Sequence, residues 1–134
     1  MTKHSAFLYL AAGAGAAIGG MARFWMSGVA ATLISETFPW GTYLVNVIGS
    51  TFIGFFAALT APDGRLFLPA STRVFVMVGI CGGFTTFSTF SLETLNLTRD
   101  GQMWRALLNI AGTLASCLIG VWCGYMIATG VNQR

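Results

Sequence analysis

The chain has 134 residues, of which 55% are hydrophobic and only 8% are charged, and its net charge is +3. Soluble domains carry about a quarter charged residues, so this composition argues against a soluble enzyme or a nucleic-acid-binding domain. It predicts an integral membrane protein. At roughly 20 residues per membrane-spanning helix, the length suits four spans in a single small all-α domain.

Turn signals divide the apolar sequence into these four spans. The first is rich in small residues such as Gly15 and Gly19, which let another helix approach closely. Pro39 and Trp40 mark the start of the second span at the membrane surface. The predicted spans cover residues 7–34, 42–59, 74–97 and 103–127, which places both termini on one side of the membrane. Three cysteines, Cys81, Cys117 and Cys123, fall within spans without metal-ligand spacing, so we interpret them as packing residues.

In the third span, residues 85–91 carry five hydroxyl side chains among phenylalanines, just after the pair Gly82 and Gly83. Polar groups in hydrocarbon cost free energy unless they find a partner, so these hydroxyls must face protein, water or an ion. The glycine pair predicts either a simple kink, which the residues alone favour, or a break centred on Gly82 to Thr85. The carbonyls of such a break could hold a cation.

Other polar side chains lie in the remaining spans, and Asn46 and Asn109 are the two amides among them. Each amide alone is typical of hydrogen bonding between helices. Together with hydroxyls they form a set of donors, which is Asn46, Ser88, Thr89, Ser91, Asn109, Thr113 and Ser116. Glu93 is the only acid within a span, whereas a cation or proton path needs carboxylates, carbonyl rings or histidines. The donors therefore favour an anion.

Arg23 and a row of phenylalanines support the same hypothesis. An arginine inside a span costs about 2.5 kcal/mol or more on insertion scales, and Arg23 either snorkels to the interface or lies at the mouth of an anion vestibule. Phe84, Phe87 and Phe90 share one helical face. Such rows usually pack in a core, but aromatic rings also carry a positive edge that can stabilise a dehydrated anion.

The loop charges give a weak topology signal. One side of the membrane carries Lys3, Arg65, Arg73 and Arg134, and the other carries Arg99 and Arg105. A bias this slight permits insertion in both orientations. Ordinary insertion in one orientation is the alternative that the charges also allow.

Three segments carry a resemblance to a known family. Residues 82–90, 40–46 and 19–23 closely resemble the Fluc (CrcB) fluoride channels of bacteria, and the resemblance extends over essentially the whole chain. It implies an antiparallel homodimer in the lipid bilayer of the bacterial inner membrane, with two pores and a structural sodium ion (Na⁺) at the dimer centre. It also implies passive export of fluoride.

The resemblance further implies roles for individual residues. Phe87 and Phe90 match the pore rings, and Asn46 matches the pore amide. Gly82 and Thr85 match the carbonyls that hold sodium, and Arg23 matches the arginine near the vestibule. The remaining pore positions are Ser88, Thr89, Asn109 and Thr113, followed by either Ser116 or Cys117. Asn109 departs from the pattern, because some members have tyrosine there.

Two other classes of protein remain open. A small proton-coupled or multidrug-type exporter has a similar size, but it usually places a carboxylate deep in an early span, and Glu36 is expected in a loop. A structural subunit of a larger membrane complex would explain the glycines. It would not explain donors beside aromatic rings.

Overall fold

The structure is a computed structural model that describes residues 3–35 and 37–133, and over these residues it consists of helices and short connections. The helices are α1 (Lys3–Leu33), α2 (Trp40–Leu59), α3 (Ala70–Arg73), α4 (Gly82–Phe84), α5 (Phe87–Arg99) and α6 (Met103–Asn132), and a π-helical segment (Val74–Cys81) joins α3 to α4. Among the described residues, four stretches are long and apolar enough to cross a membrane, namely Ser5–Leu33, Trp40–Leu59, Ala70–Arg99 and Met103–Asn132. The predicted all-α, four-span architecture is confirmed. The third and fourth stretches extend beyond the predicted limits, whereas the bounds of the second nearly coincide with them.

The helix ends follow local chemistry. The start of α2 lies directly after Pro39, and the Trp40 ring packs edge-on against Tyr43 with centroids 5.8 Å apart. The end of α5 is followed by Gly101 with a φ of 73°, a left-handed conformation that favours glycine. Both ends therefore lie where the sequence supplies a proline, an aromatic residue or a glycine.

The most extensive helix packing joins α2 to α6. A Cβ atom added to Gly124 would overlap the carbonyl oxygen of Thr51, and one added to Gly120 would lie 2.6 Å from Oγ1 of Thr51. These two glycines of α6 are needed for close approach of the helix backbones. Gly112 of the same helix has nothing within 4 Å of such an atom.

The pair Gly82 and Gly83 does not form the break that was predicted there. Gly82 is helical, with φ −65° and ψ −34°, and the extended residues are Thr85 (φ −82°, ψ 159°) and Thr86 (φ −153°, ψ 114°). The prediction of an interrupted third span is right, but the interruption lies at the C-terminal edge of the predicted segment. Gly83 instead permits close packing, because a Cβ atom there would lie 2.5 Å from the Ala16 carbonyl oxygen.

The interior of the chain is small and partly polar, whereas the outer faces of the helices carry exposed large hydrophobic residues. The two largest fully buried side chains are Val45 and Asn109. Most other buried hydrophobic residues are alanines. This distribution is the one expected of helices that face lipid on the outside and meet through small residues inside.

Candidate functional site

The interruption of the third span is held open by Asn46 of α2. The Thr86 N–H donates to Oδ1 of Asn46 at 2.8 Å, and Nδ2 of Asn46 donates to the Thr86 carbonyl oxygen at 3.1 Å. Both groups belong to an extended residue that lacks helical partners, and buried backbone groups without partners are costly. One amide side chain therefore satisfies both backbone groups at the break. The second N–H of the amide adds a donor at the same place.

The Thr86 side chain caps the next helix. Its Oγ1 accepts from the Thr89 N–H at 3.2 Å and donates to Oγ1 of Thr89 at 2.9 Å. The Ser88 hydroxyl lies 3.3 Å from the same oxygen. Ser88 and Thr89, which were predicted as pore hydroxyls, are thus part of the cap of α5. Sequence reasoning missed Thr86 itself, although a threonine directly before a helix is a known capping signal.

A cavity of about 210 Å³ lies against this break. It brings together four of the predicted pore residues, Asn46, Phe87, Phe90 and Thr113, with Thr85, which was predicted to hold sodium, and it is also lined by Ser50, Thr86, Leu114 and Cys117. The lining contains amide, hydroxyl and aromatic groups and no carboxylate. Such a set offers hydrogen-bond donors and positive ring edges to a bound group, which suits an anion better than a cation.

The two aromatic rings of the cavity differ in their exposure. Phe87 and Phe90 have ring centroids 5.3 Å apart and planes inclined by 44°. Phe90 is 6% exposed, whereas Phe87 is 72% exposed. One ring is therefore fixed within the chain, and the other projects from its surface.

A row of hydrogen bonds joins α6 to α5 beside the cavity. Thr113 donates to Oδ1 of Asn109 at 3.3 Å, and Nδ2 of Asn109 donates to Oγ1 of Thr94 at 2.9 Å. Thr94 donates in turn to the Phe90 carbonyl oxygen at 2.7 Å. Asn109 is 1% exposed and is not among the cavity lining, so it connects with the cavity through Thr113. The role of Thr94 was not predicted from the sequence.

The sequence left either Ser116 or Cys117 as the next pore position, and the two residues have different surroundings in the structure. Oγ of Ser116 lies 2.8 Å from the Tyr43 hydroxyl, whereas Cys117 lines the cavity. Ser50 was missed, although it lies four residues after Asn46 and hence on the same face of α2. Glu93, the single acid predicted within a span, accepts from Thr42 at 2.8 Å and is not part of the cavity lining.

Arg23 reaches the break from α1. Its Nη1 lies 3.5 Å from the Thr85 carbonyl oxygen, and the residue is half-buried. Arg23 is not among the residues that line the cavity. Its guanidinium therefore adds positive charge beside the break without entering the lining.

The carbonyls implied as sodium ligands have the chemistry that such an ion requires. In a continuous helix the Thr86 N–H would donate to the Gly82 carbonyl, but it donates to Asn46 instead. The Thr85 carbonyl lies in the extended segment, where the contact with Arg23 is at the long limit of a hydrogen bond. Carbonyls at the C-terminal end of a half-helix are known cation ligands in membrane proteins. The carbonyls of Gly82 and Thr85 are therefore of the chemical kind that a sodium ion takes as ligands.

The fold and the cavity define a small four-span membrane protein with an anion-compatible site at an interrupted helix. A family model described as CrcB-like protein, Camphor Resistance (CrcB), matches residues 10–125. The chain belongs to this CrcB family, which confirms the resemblance noted in the sequence.

Curated relatives match almost the whole chain. A protein of Opitutus terrae is 56% identical over 126 residues, which are 94% of this chain and 96% of the relative. A protein of Methylocella silvestris is 55% identical over 119 residues, 89% of this chain and 91% of the relative. A Rhodospirillum rubrum protein is 50% identical over 125 residues, 93% of this chain and 97% of the relative. All three are named fluoride-specific ion channel FluC.

Proposed function

We propose that this protein is a fluoride-selective channel that exports fluoride from the bacterial cytoplasm across the inner membrane by passive electrodiffusion. The observation that carries the proposal is the cavity at the break, where amide, hydroxyl and aromatic groups meet without a carboxylate. The names of the relatives support it. Neither an exporter nor a structural subunit of a larger complex gains comparable support. Glu36, whose expected position in a loop argued against an exporter, lies outside the described residues.

The chemistry of the cavity suits fluoride in particular. Fluoride is small and strongly hydrated, so a path must replace its water with hydrogen-bond donors. The second N–H of the Asn46 amide, which is not donated to Thr86, is such a donor in the cavity lining. The Thr113 hydroxyl lines the same cavity but would have to release Oδ1 of Asn109 to donate to an ion. The positive edges of Phe87 and Phe90 can stabilise the ion further, while the bulk of the rings excludes larger anions such as chloride.

Two copies in antiparallel orientation would complete the path. Phe87 is 72% exposed and Ser88 is exposed, so a single chain leaves this side of the site uncovered. The weak charge bias of the loops supports insertion in both orientations. A tag at the C terminus should become accessible from both sides of the membrane in cells, and accessibility from one side alone would contradict the antiparallel arrangement.

A sodium ion would be held at the dimer centre by the carbonyls of Gly82 and Thr85 from both copies. When bound, it would balance the negative ends of the carbonyl dipoles where the two breaks meet. A ligand at 100 times its Kd stabilises the folded state by about 2.7 kcal/mol. Replacing sodium by N-methylglucamine should therefore lower the Tm of the purified dimer, and an unchanged Tm would contradict the sodium site.

The direct test of fluoride transport uses the purified protein in liposomes. With a potassium gradient and valinomycin, the liposomes should release fluoride and retain chloride. Equal release of both anions would contradict a fluoride-selective channel, as would the absence of fluoride release above that of protein-free liposomes.

A further inference from the structure

A second cavity, which shares no residue with the candidate fluoride site, lies where the third span begins. Its volume is about 160 Å³, and it is formed by the loop after α2 together with Arg73 of α3. One water needs about 10–15 Å³ of such space, so the cavity has room for several. The space is thus sufficient for a compact polar group such as a phosphate.

Arg73 lines this cavity, and one donor of its guanidinium is unused. Its Nε is buried and has no hydrogen-bond partner among the residues that the structure describes. Asp63 lies in the same loop but does not partner this nitrogen. A buried charged donor without a partner is costly, so the position calls for an anionic ligand. The planar guanidinium matches phosphate with two parallel hydrogen bonds.

The depth of Arg73 in the membrane indicates where that phosphate comes from. The stretch that is long and apolar enough to cross a membrane begins at Ala70, so Arg73 lies in its first turn, where we place the lipid headgroups. Phe67, in the preceding loop, is 91% exposed and also lines the cavity. An exposed aromatic ring at this depth is typical of contact with the membrane interface. A phospholipid places its phosphate at this level and its acyl chains below it.

We propose that Arg73 and this cavity bind the phosphodiester group of a phospholipid. The proposal does not depend on fluoride transport. Arg65, an exposed arginine of the same loop, provides the natural comparison, because its Nη1 already donates to the Val131 carbonyl oxygen at 3.1 Å. General attraction between cations and the membrane acts on both arginines. Binding in the cavity requires Arg73 alone.

The test measures lipid binding to the full-length protein by native mass spectrometry during titration with phosphatidylglycerol. Arg73→Gln should weaken binding by about tenfold, which corresponds to the loss of one charge-assisted interaction. Arg65→Gln, with the same change of charge, should weaken it by less than about twofold. Diacylglycerol, which has acyl chains and no phosphate, should not bind at this site.

A conservative variant keeps the test valid if Arg73→Gln fails to fold. Arg73→Lys retains the charge but lacks the planar pair of donors, and it should still bind phosphatidylglycerol at least about threefold more weakly than the native protein. Size-exclusion chromatography verifies that each variant is folded. Native binding in both Arg73 variants would overturn the proposal, and so would equal losses in Arg65→Gln and Arg73→Gln. Displacement of the lipid by inorganic phosphate at equal concentration would assign the cavity to a free anion instead.

Discussion

Asn46 is the residue on which the local geometry of the break depends most. Its amide accepts from one backbone group of Thr86 and donates to the other, and it also lines the cavity. A purely structural amide and a purely pore-lining amide were alternatives at the level of sequence. In the structure a single side chain holds the break open and contributes to the surface of the cavity.

Asn46→Asp should impair both stability and fluoride flux. The carboxylate can still accept from the Thr86 N–H, but it cannot donate to the Thr86 carbonyl and it places negative charge in an anion path. We expect a loss of about 1–3 kcal/mol in the free energy of unfolding and a clear loss of flux in liposomes. Asn96→Asp makes the same change at an exposed position near the end of α5, outside the cavity lining, and should leave fluoride flux unchanged. Equal behaviour of the two variants would contradict the role of Asn46.

Phe87→Ile and Phe90→Ile test the aromatic rings separately from chain packing. Isoleucine keeps much of the bulk but lacks the positive ring edge, so each variant should reduce fluoride flux at least about tenfold. Phe90 is buried, and its replacement should also cost about 1–2 kcal/mol of stability, whereas Phe87 is largely exposed and its replacement should cost little. Both variants should still assemble as dimers in size-exclusion chromatography. Phe7→Ile, outside the cavity, is the control, and native flux in Phe87→Ile and Phe90→Ile would refute the pore role.

At the scale of residues, the sequence predicted which side chains gather at the site better than it predicted how they bond. Asn46, Phe87, Phe90 and Thr113 line one cavity, although the Phe87 ring also projects from the surface of the chain. The hydrogen bond between the hydroxyls of Ser88 and Thr86 could not be predicted from helical periodicity. It depends on the Thr86 side chain, whose position follows from the exact residue at which α5 begins.

At the scale of elements, the third span combines two half-helices with opposite electrostatic ends. The C-terminal end of α4 presents carbonyl oxygens and carries partial negative charge, whereas the N-terminal end of α5 presents N–H groups and carries partial positive charge. The Thr86 side chain caps the second end. A cation near the first end and an anion near the second are therefore both electrostatically favoured within a few residues of each other.

The close packing of α2 and α6 can be tested with two glycines of one helix. Gly124→Ala places a methyl group against the Thr51 carbonyl, and backbone atoms cannot move aside easily, so we expect a loss of about 1–3 kcal/mol from overpacking. Gly112→Ala meets no atom within 4 Å and should be neutral or stabilising by up to about 1 kcal/mol, because alanine favours helix. Thermal unfolding in detergent measures both. Similar Tm values for the two variants would contradict the packing described here.

The sequence predicted that the third span is interrupted but not the residues at which the interruption lies. The physical reason is that glycine has two different effects on a helix. Glycine weakens a helix, but it also lets two backbones approach, and Gly83 serves the second purpose against Ala16. The extended residues are two threonines, whose β-branched side chains suit that conformation. The π-helical segment Val74–Cys81 was not predicted, because its apolar residues carry no periodic signal.

At the scale of the whole molecule, one chain supplies the elements of a path but does not enclose it. The ring of Phe87 projects from the surface, and the carbonyls of Gly82 and Thr85 lie at a break where a second copy would bring an equivalent pair. Length and composition predicted the four spans, since these depend on hydrophobicity alone. How two copies would be arranged depends on surface complementarity, and the loop charges specify an orientation only weakly.

The reversal potential of currents through the purified protein in a planar bilayer tests the central claim most directly. Under a tenfold fluoride gradient with equal chloride on both sides, the current should reverse about 59 mV from zero, as required for one charge per ion. The reversal potential should stay there when a proton gradient is added. A reversal near zero, or one that moves with the proton gradient, would contradict passive conduction selective for fluoride.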